Sequence, residues 1–263
     1  MDVVGHIESL WRYPVKSMRG QLLDEAFAGF SGIYGDRLYA FHSTGAPAGF
    51  PYLTAREQEH MLRYAPTFRH PEKMRMPPNL SEAEALPPGA TPVYPAPADT
   101  AVDVQAPDGE KLSIEDPSLL HRLREGLGDR HDLTWVRSDR AMTDCRPISL
   151  FHIRTAKQLG DEIGAPVDPR RFRANIYIDL KSQEPFGENE LVGRVVRIGP
   201  KATIAILERD PRCKIITLDP DTSQPNPGVM RCVARNHGGN AGVYAAVLVE
   251  GTIRPGDEIT LVN

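Results

Sequence analysis

The stretch that decides the fold reads FRANIYIDL (172–180), GRVVRIG (193–199), ATIAILE (202–208), CKIITLD (213–219), GVYAAVLVEG (242–251) and DEITLVN (257–263). Each of these segments is short, favours β structure and is bounded by glycine, proline or aspartate. Short strands at this spacing are typical of a β-barrel. We therefore expect residues 141–263 to form a β-barrel with a few covering helices.

The residues before this stretch also favour strands. Strands are predicted over VVGHIESLWRYPV (3–15), over residues 21–27 and over residues 37–42. A hairpin is predicted where Asp108-Gly109 separates AVDVQAP from EKLSIE, because this dipeptide suits a tight turn. Many of the 24 prolines lie within residues 66–97, which indicates a loose insertion or linker there.

Three short helices are predicted beside these strands. The first follows the capping box Thr54-Ala55-Arg56-Glu57 and ends at Pro66. The second starts at Asp116-Pro117 and stops at Gly128, and the third spans about residues 155–163. The sequence thus predicts a mainly β (α+β) protein with two domains, a β-rich barrel-like lobe at residues 1–140 and a β-barrel at residues 141–263.

Composition and charge exclude several classes of function. The 263 residues are 40% hydrophobic and 25% charged, with a formal net charge of −4, so the chain lacks the basic field that recruits nucleic acid. No stretch is long and apolar enough to span a bilayer, and the N-terminus lacks the pattern of a secretory signal. We therefore expect a cytoplasmic protein that binds neither nucleic acid nor membrane.

The cysteines and histidines do not by themselves indicate a function. The three cysteines, at positions 145, 213 and 232, form no CxxC pair, which argues against a disulfide framework, a structural zinc site and an iron–sulfur cluster. The signatures of P-loop, Rossmann, zincin and α/β-hydrolase enzymes are absent. The eight histidines show no metal-ligand spacing, and His237 is interpreted as a loop residue.

Two basic segments combine cations with loop-forming residues. In YPVKSMRG (13–20), Lys16, Ser17 and Arg19 offer donors to an anion, although a solvated surface loop explains the same residues. In DPRRFRANI (168–176), three arginines and an asparagine at the mouth of a predicted strand suit an anion pocket. An exposed run of charge is the alternative interpretation of this second segment.

The third segment, RDPRCK (209–214), contains a thiol. We expect Cys213 after a proline turn, at the start of a strand, between Arg212 and Lys214. Nearby cations favour the thiolate, which is the form that binds metal or attacks. One cysteine cannot hold a metal alone, but it can complete the coordination of a metal that arrives bound to an organic cofactor.

Together these segments resemble the MOSC family, and within it the branch with an N-terminal β-barrel domain, which includes the mitochondrial amidoxime-reducing component and its bacterial relatives. YPVKSMRG (13–20), GDR (35–37) and LTARE (53–57) resemble signatures of the N-terminal domain. Four further segments resemble signatures of the MOSC domain, namely FRANI (172–176), RCKIITLDPDT (212–222), GVY (242–244) and GTIRPGD (251–257). The match follows the family's order and thins between residues 66 and 145.

The resemblance implies a molybdenum cofactor, which is a molybdopterin that carries Mo, with Cys213 as metal ligand and catalytic residue. It further implies a reductase of N-hydroxylated or related oxygenated small molecules. The electrons would come from an external flavoprotein, ferredoxin or cytochrome type donor. The residues implied to bind the pterin and its phosphate are Lys16, Ser17, Arg19, Arg37, Thr54, Arg56, Arg146, Arg173, Asn175 and Arg212.

The sequence departs from the family at two positions and leaves other functions open. Ala174 replaces the family's proline before Asn175, and Arg146 stands where a small polar residue often precedes proline, so Arg146 either contacts the phosphate or narrows the pocket. Some bacterial relatives carry a ferredoxin-like domain after the barrel, which is not expected here. The alternative is a molybdenum-cofactor carrier or sulfur-transfer protein with a persulfide on Cys213, and an inactive β-barrel binding protein is a third.

Overall fold

The protein is built mainly from β-strands, as seen in a computed structural model that describes residues 2–87, 97–129 and 131–262. The mainly β fold class predicted from the sequence is confirmed. The strands are β1 Val3–Arg12, β2 Gln21–Leu23, β3 Ala26–Gly29, β4 Gly32–Ile33, β5 Tyr39–Ser43, β6 Ala65–Phe68, β7 Val102–Gln105, β8 Lys111–Ser113, β9 Leu133–Arg137, β10 Ile148–His152, β11 Ile176–Leu180, β12 Val195–Ile198, β13 Ala202–Pro211, β14 Asn240–Val249, β15 Gly251–Ile253 and β16 Glu258–Val262.

Short helices connect and cover the strands. The α-helices are α1 Leu80–Ala85, α2 Pro117–Arg124, α3 Ile153–Ile163 and α4 Pro227–Asn236. The 3₁₀ helices are Glu59–Arg63, Pro71–Met74, Pro97–Thr100, Pro169–Phe172, Gly187–Leu191 and Lys214–Thr217. No helix within the described ranges has the length and apolar character needed to cross a membrane.

Seven strands close into a barrel. Their order is β11-β10-β14-β13-β12-β16-β1, and β1 also pairs with β11, which joins the two ends of the sheet. The β10–β11 pair is parallel, whereas β1 is antiparallel to both β11 and β16. The barrel therefore takes its closing strand from the first twelve residues of the chain and its other six strands from residues 148–262.

Glycine at position 5 allows β1 to lie close against β11. A Cβ atom at Gly5 would lie 2.5 Å from the backbone oxygen of Asp179, which is well inside contact distance. Further along β1, Ile7 and Leu10 are fully buried in the barrel core with aliphatic side chains such as Ile178. Strand β1 thus forms part of the barrel wall, and its inward-facing side chains form part of the barrel core.

The N-terminal part packs a second core. β5 pairs with β9, and β6, β7 and β8 form an antiparallel sheet. Their inward side chains meet those of the 3₁₀ helix Glu59–Arg63 and of α2, and the large, fully buried members include Phe41, Met61 and Leu119. The division into domains at residue 140 stays a prediction.

A third core joins the barrel to α3 and α4. Phe151 of β10 stacks on Phe172 with ring centroids 4.2 Å apart. Leu159 of α3 and Val233 of α4 are fully buried in the same cluster, together with Ile216. This cluster packs both helices against the segment that follows Cys213.

One segment prediction near the C-terminus is wrong, and one helix was not predicted. CKIITLD was expected to be a strand, but Lys214–Thr217 is a 3₁₀ helix in which the Thr217 hydroxyl donates to the Lys214 oxygen at 2.8 Å. The burial of Ile216 against α4 outweighs the β preference of this segment. Helix α4 itself was not predicted, although Asn226 caps it and Pro227 occupies its first turn.

Elsewhere the predictions agree with the structure except in their boundaries. The predicted strand over residues 21–27 is divided into β2 and β3. The helix predicted after Glu57 is only the 3₁₀ helix Glu59–Arg63. The hairpin of β7 and β8 is confirmed, with Gly109 at φ 91°. The proline-rich insertion predicted at residues 66–97 lies partly outside the described residues, since residues 88–96 are not among them.

Candidate functional site

A cleft lies where the N-terminal loops meet the barrel. It brings together eight of the residues that the sequence singled out, which are Lys16, Ser17, Arg37, Arg146, Arg173, Asn175, Arg212 and Cys213. Segments separated by more than a hundred residues supply these side chains. The expected convergence of basic residues is therefore present for Lys16, Arg37 and Arg173, whereas Arg56 is outside the lining.

Backbone hydrogen bonds hold the loop that carries Lys16 and Ser17. The Lys16 amide donates to the Tyr39 oxygen at 2.8 Å, and the Tyr39 amide donates to the Pro14 oxygen at 3.1 Å. The following amide of Met18 closes a turn on the Val15 oxygen at 3.2 Å. The start of β5 thereby fixes the position of this loop beside the cleft.

Tyr13 holds two guanidinium groups side by side. The Cζ atoms of Arg37 and Arg173 lie 4.8 and 4.3 Å from its ring centroid, which is cation–π distance. Arg37 is paired with the buried carboxylate of Asp36. The Nη2 atom of Arg173 is buried and has no hydrogen-bond partner among the described residues. Burial, with the charge of Arg37, lowers the pKa of Arg173 to about 10.

Three of the cleft residues have a left-handed backbone. Ser17, Arg37 and Arg173 have φ angles of 65°, 47° and 52°. For a residue with a Cβ atom this conformation costs about 1–2 kcal/mol, and such strain is concentrated at functional sites. Three of the six non-glycine residues with positive φ in the described part of the chain therefore line the cleft.

The segment between β9 and β10 covers Lys16. Lys16 is 3% exposed, and its ammonium group donates to the Met142 oxygen at 2.8 Å and to the carboxylate of Asp144. Burial lowers the pKa of Lys16 despite this partner. Partial burial of Asp144 acts to raise its pKa, but Lys16, Arg37 and Arg56 outweigh this and hold it below its ordinary value.

Cys213 lies at the edge of the cleft, at the N-cap of the 3₁₀ helix Lys214–Thr217. It is partly exposed and has extended backbone angles. The two flanking cations are engaged elsewhere, since Lys214 pairs with Glu59 at 2.7 Å and Arg212 pairs with Asp210 at 2.7 Å. The expectation that both cations stabilise the thiolate is therefore not supported by their positions.

Arg212 braces the cleft wall. Its Nε donates to the Ala241 oxygen at 2.6 Å and its Nη1 to the Phe172 oxygen at 3.0 Å. Its ion-pair partner Asp210 is 1% exposed, and burial raises the pKa of Asp210 to about 6 despite Arg212 and the Tyr244 hydroxyl. The cleft thus contains a carboxyl group that can hold or release a proton near neutral pH.

Asn175 ties three barrel strands together beneath the cleft. Its amide donates to the Ser149 oxygen at 3.0 Å, its side-chain oxygen accepts from the Ser149 amide at 3.3 Å, and its Nδ2 donates to the Trp11 oxygen at 3.4 Å. These bonds join the start of β11 to β10 and β1. Asn175 is 1% exposed, so its position in the structure is that of a brace.

Three predicted binding residues lie outside the lining, and a fourth is paired at its rim. Arg19 pairs with Asp221 at 3.6 Å. Thr54 accepts from the Arg56 amide and the Arg56 Nε at 3.2 Å each, but it does not cap a helix as predicted, because the 3₁₀ helix Glu59–Arg63 begins after Gln58 and has no side-chain cap among the described residues. Arg146 faces the cleft but donates to Glu208 at 2.6 Å.

Half of the residues that line the cleft were not predicted from the sequence. The residues it did not select are Thr143, Asp144, Ser149, Phe172, Asp210, Pro211, Ile215 and Tyr244. Asp210 and Pro211 precede Cys213 by only three and two positions, so the local sequence could have indicated them. The approach of Asp144 to Lys16 could not be predicted from local sequence.

The fold and the cleft define a β-barrel protein with a cationic, thiol-containing site. Residues 137–260 match the MOSC domain, which confirms the MOSC resemblance for this part of the chain. No curated protein matches the chain significantly.

Three solved structures match the chain at low sequence identity. The YuaD protein from Bacillus subtilis shares 15% identity at a TM-score of 0.48, covering 98% of this chain and 95% of that one. YiiM from Geobacillus stearothermophilus shares 19% identity at a TM-score of 0.36, covering 45% and 55%. YiiM from Escherichia coli shares 18% identity at a TM-score of 0.33, covering 45% and 55%.

Proposed function

We propose that the protein is a molybdenum-cofactor-dependent oxidoreductase that reduces N-hydroxylated or related oxygenated small molecules with electrons from a partner protein. The observation that carries this proposal is the meeting of a partly exposed thiol, Cys213, with Lys16, Arg37 and Arg173 in one cleft. MOSC domains are generally associated with molybdenum cofactor binding.

The chemistry of the cleft fits such a cofactor. Its lining contains five cationic side chains and two carboxylates, so an anionic group is favoured there. The buried Nη2 atom of Arg173, which lacks a partner in the described part of the chain, needs an acceptor such as a phosphate oxygen. Sulfur is a soft ligand that suits a metal already held by a sulfur-containing cofactor.

Each residue has a role that follows from its position. Cys213 would ligate the metal, while Lys16, Arg37 and Arg173 would hold the phosphate. Asn175 and Arg212 would shape the wall, because the protein already uses most of their hydrogen-bonding groups. The bound cofactor supplies the two-electron chemistry that removes oxygen from a substrate.

The remaining predicted residues have weaker support. Ser17 lines the cleft beside Lys16 and is kept as a candidate donor. Arg19, Thr54 and Arg56 remain candidates only through the family resemblance, because they lie outside the lining. Arg146 lines the cleft but is paired with Glu208. A cytoplasmic location likewise remains a prediction.

The first experiment measures metal and pterin on gently purified protein. We expect close to one molybdenum and one pterin per chain, and we expect Cys213→Ser to lose the thiolate signature of the metal while it keeps the fold. Cys145→Ser is the matched control, because Cys145 is an exposed free thiol. Loss of that signature in Cys145→Ser or Cys232→Ser, with Cys213→Ser unaffected, would contradict the assignment.

The second experiment concerns the electron donor. The sequence has no Rossmann fingerprint for a nicotinamide, so a chemically reduced dye should drive turnover of an amidoxime while NADH alone should not. Adding a flavoprotein or ferredoxin-type donor should restore turnover with NADH. Fast turnover with NADH and the purified chain alone would refute the need for a partner.

The same measurements separate the alternative function. A carrier would bind molybdenum and pterin but would not reduce an amidoxime under any donor. A sulfur-transfer protein would carry a persulfide on Cys213 without metal. Either result would replace the reductase proposal.

A further inference from the structure

A second cluster of potential ligands lies away from the cleft, where the ends of α3 and α4 pack together. Within the described residues, Glu162, Cys232 and His237 bring one carboxylate oxygen, one thiol sulfur and one imidazole nitrogen within 4.8 Å of one another. Glu162 comes from the last turn of α3, Cys232 from α4, and His237 from the C-cap of α4. Local sequence could not indicate this set, because Glu162 is 70 residues from Cys232.

The carboxylate of Glu162 is the centre of the cluster. Its Oε2 accepts from the Cys232 thiol at 2.9 Å, from Asn236 Nδ2 at 2.9 Å and from His237 Nε2 at 3.0 Å. Gln158 Nε2 donates to the other oxygen at 2.9 Å. These donors fix the orientation of the carboxylate and favour its ionised form.

The other two side chains are also held in place. The His237 ring stacks on the Phe186 ring, with centroids 4.0 Å apart and planes at 20°. Cys232 is 8% exposed and belongs to the core between the helices and the barrel. The side chains of His237 and Glu162 are 18% and 19% exposed, so a hydrated ion can reach the outer side of the cluster.

We propose that Glu162, Cys232 and His237 form a zinc site that fastens the end of α3 to the end of α4. Sulfur, imidazole nitrogen and carboxylate oxygen are the ligands of protein zinc, bound at about 2.0–2.3 Å. Three protein ligands leave a fourth position, which water fills from the exposed side. The mixed ligand set selects Zn²⁺ over Mg²⁺ and Ca²⁺, which take oxygen ligands.

Zinc binding requires one proton to leave. The Cys232 thiol becomes a thiolate and its proton passes to solvent. The neutral His237 imidazole changes tautomer, with its proton moved from Nε2 to Nδ1 through solvent, so that Nε2 is free to bind the ion. The hydrogen bonds from Cys232 and His237 to Glu162 are thereby exchanged for bonds to the ion. The two negative charges of Glu162 and the thiolate then balance the charge of Zn²⁺. The site becomes neutral, which suits its half-buried position.

The test measures zinc binding by equilibrium dialysis against a competing chelator, with cobalt as a spectroscopic substitute. Wild-type protein should bind one Zn²⁺ at this site, and Co²⁺ should give the sulfur-to-metal charge-transfer band of a thiolate ligand. Cys232→Ser and His237→Ala should each weaken binding by at least about 100-fold. Cys145→Ser and Cys213→Ser should bind normally, and melting curves should show that every variant is folded.

A second measurement needs no variant. Zinc should slow the alkylation of Cys232 in the folded wild-type protein, as followed by peptide mapping, and should raise the melting temperature by linkage. Absence of zinc binding, binding that survives in Cys232→Ser, or protection of Cys213 in place of Cys232 would each overturn the proposal. The site is separate from the cleft, so none of these outcomes depends on the proposed reductase activity.

Discussion

Glu188 is a carboxyl group with no exposed surface. The Thr155 hydroxyl lies 3.1 and 3.0 Å from its two oxygens, but burial still raises its pKa to about 7. Because the folded state holds this proton more tightly than the unfolded state, Glu188 favours folding at low pH. That contribution decreases as the pH rises from about 4.5 through about 7.

This gives a prediction for Glu188→Gln, which cannot ionise. Between pH 5 and pH 8 the wild type should lose on the order of 2 kcal/mol of unfolding free energy through Glu188, and the variant should lack this loss. Urea unfolding at the two pH values measures the difference. Glu190→Gln is the control, since Glu190 is exposed on the same 3₁₀ helix. Equal pH dependence in the two variants would show that Glu188 titrates normally.

At the scale of elements, local sequence predicted the parts whose stability is local. The β7–β8 hairpin followed from its Asp108-Gly109 turn, and α2 from Asp116-Pro117, because a turn or a cap is encoded within a few residues. The strand prediction for the segment after Cys213 was wrong for the opposite reason. Its two isoleucines favour a strand, but the packing of Ile216 against α4 decides its conformation.

Helix α4 shows that a cap signal can be present and overlooked. Asn226 Oδ1 accepts from the Gly228 amide at 3.0 Å, and Pro227 fits the first turn because its missing N–H is not needed there. Asn226→Ala should therefore destabilise the protein by about 1 kcal/mol in urea unfolding. Asn226→Asp keeps the acceptor and should stay within a few tenths of the wild type. Equal losses in the two variants would mean that the side chain acts through something other than the cap.

At the scale of the whole molecule, the site depends on which distant segments meet. The sequence identified Lys16, Arg37, Arg173 and Cys213 through ordered motifs, and the fold places all four in one cleft. It did not identify Asp144, because the ion pair with Lys16 joins residues 128 positions apart. Charge pairing of this kind is a property of tertiary structure, which is why Arg212 was selected as a binding group although the fold uses it as a brace.

The closed barrel also makes a prediction about which part of the chain can fold. The range that matches the MOSC domain, 137–260, does not include β1, yet β1 pairs with both β11 and β16. Without β1 these two strands have open edges, and the buried side chains of Ile7 and Leu10 are missing from the barrel core. A fragment of residues 138–263 should therefore not unfold cooperatively and should tend to aggregate.

A circularly permuted chain that includes β1 should restore cooperative unfolding to this fragment. The Leu261 amide donates to the Asp2 oxygen at 2.9 Å, so a linker of about five Gly and Ser residues can join the end of β16 to residue 2. A chain of residues 138–262, this linker and residues 2–36 restores β1 to β4, and it should show a cooperative thermal transition. Gly5→Val in the same chain is the matched control, because a side chain there meets the Asp179 oxygen and should abolish the rescue. Cooperative unfolding of residues 138–263 alone would instead show that the barrel closes without β1, in support of a domain boundary near residue 140.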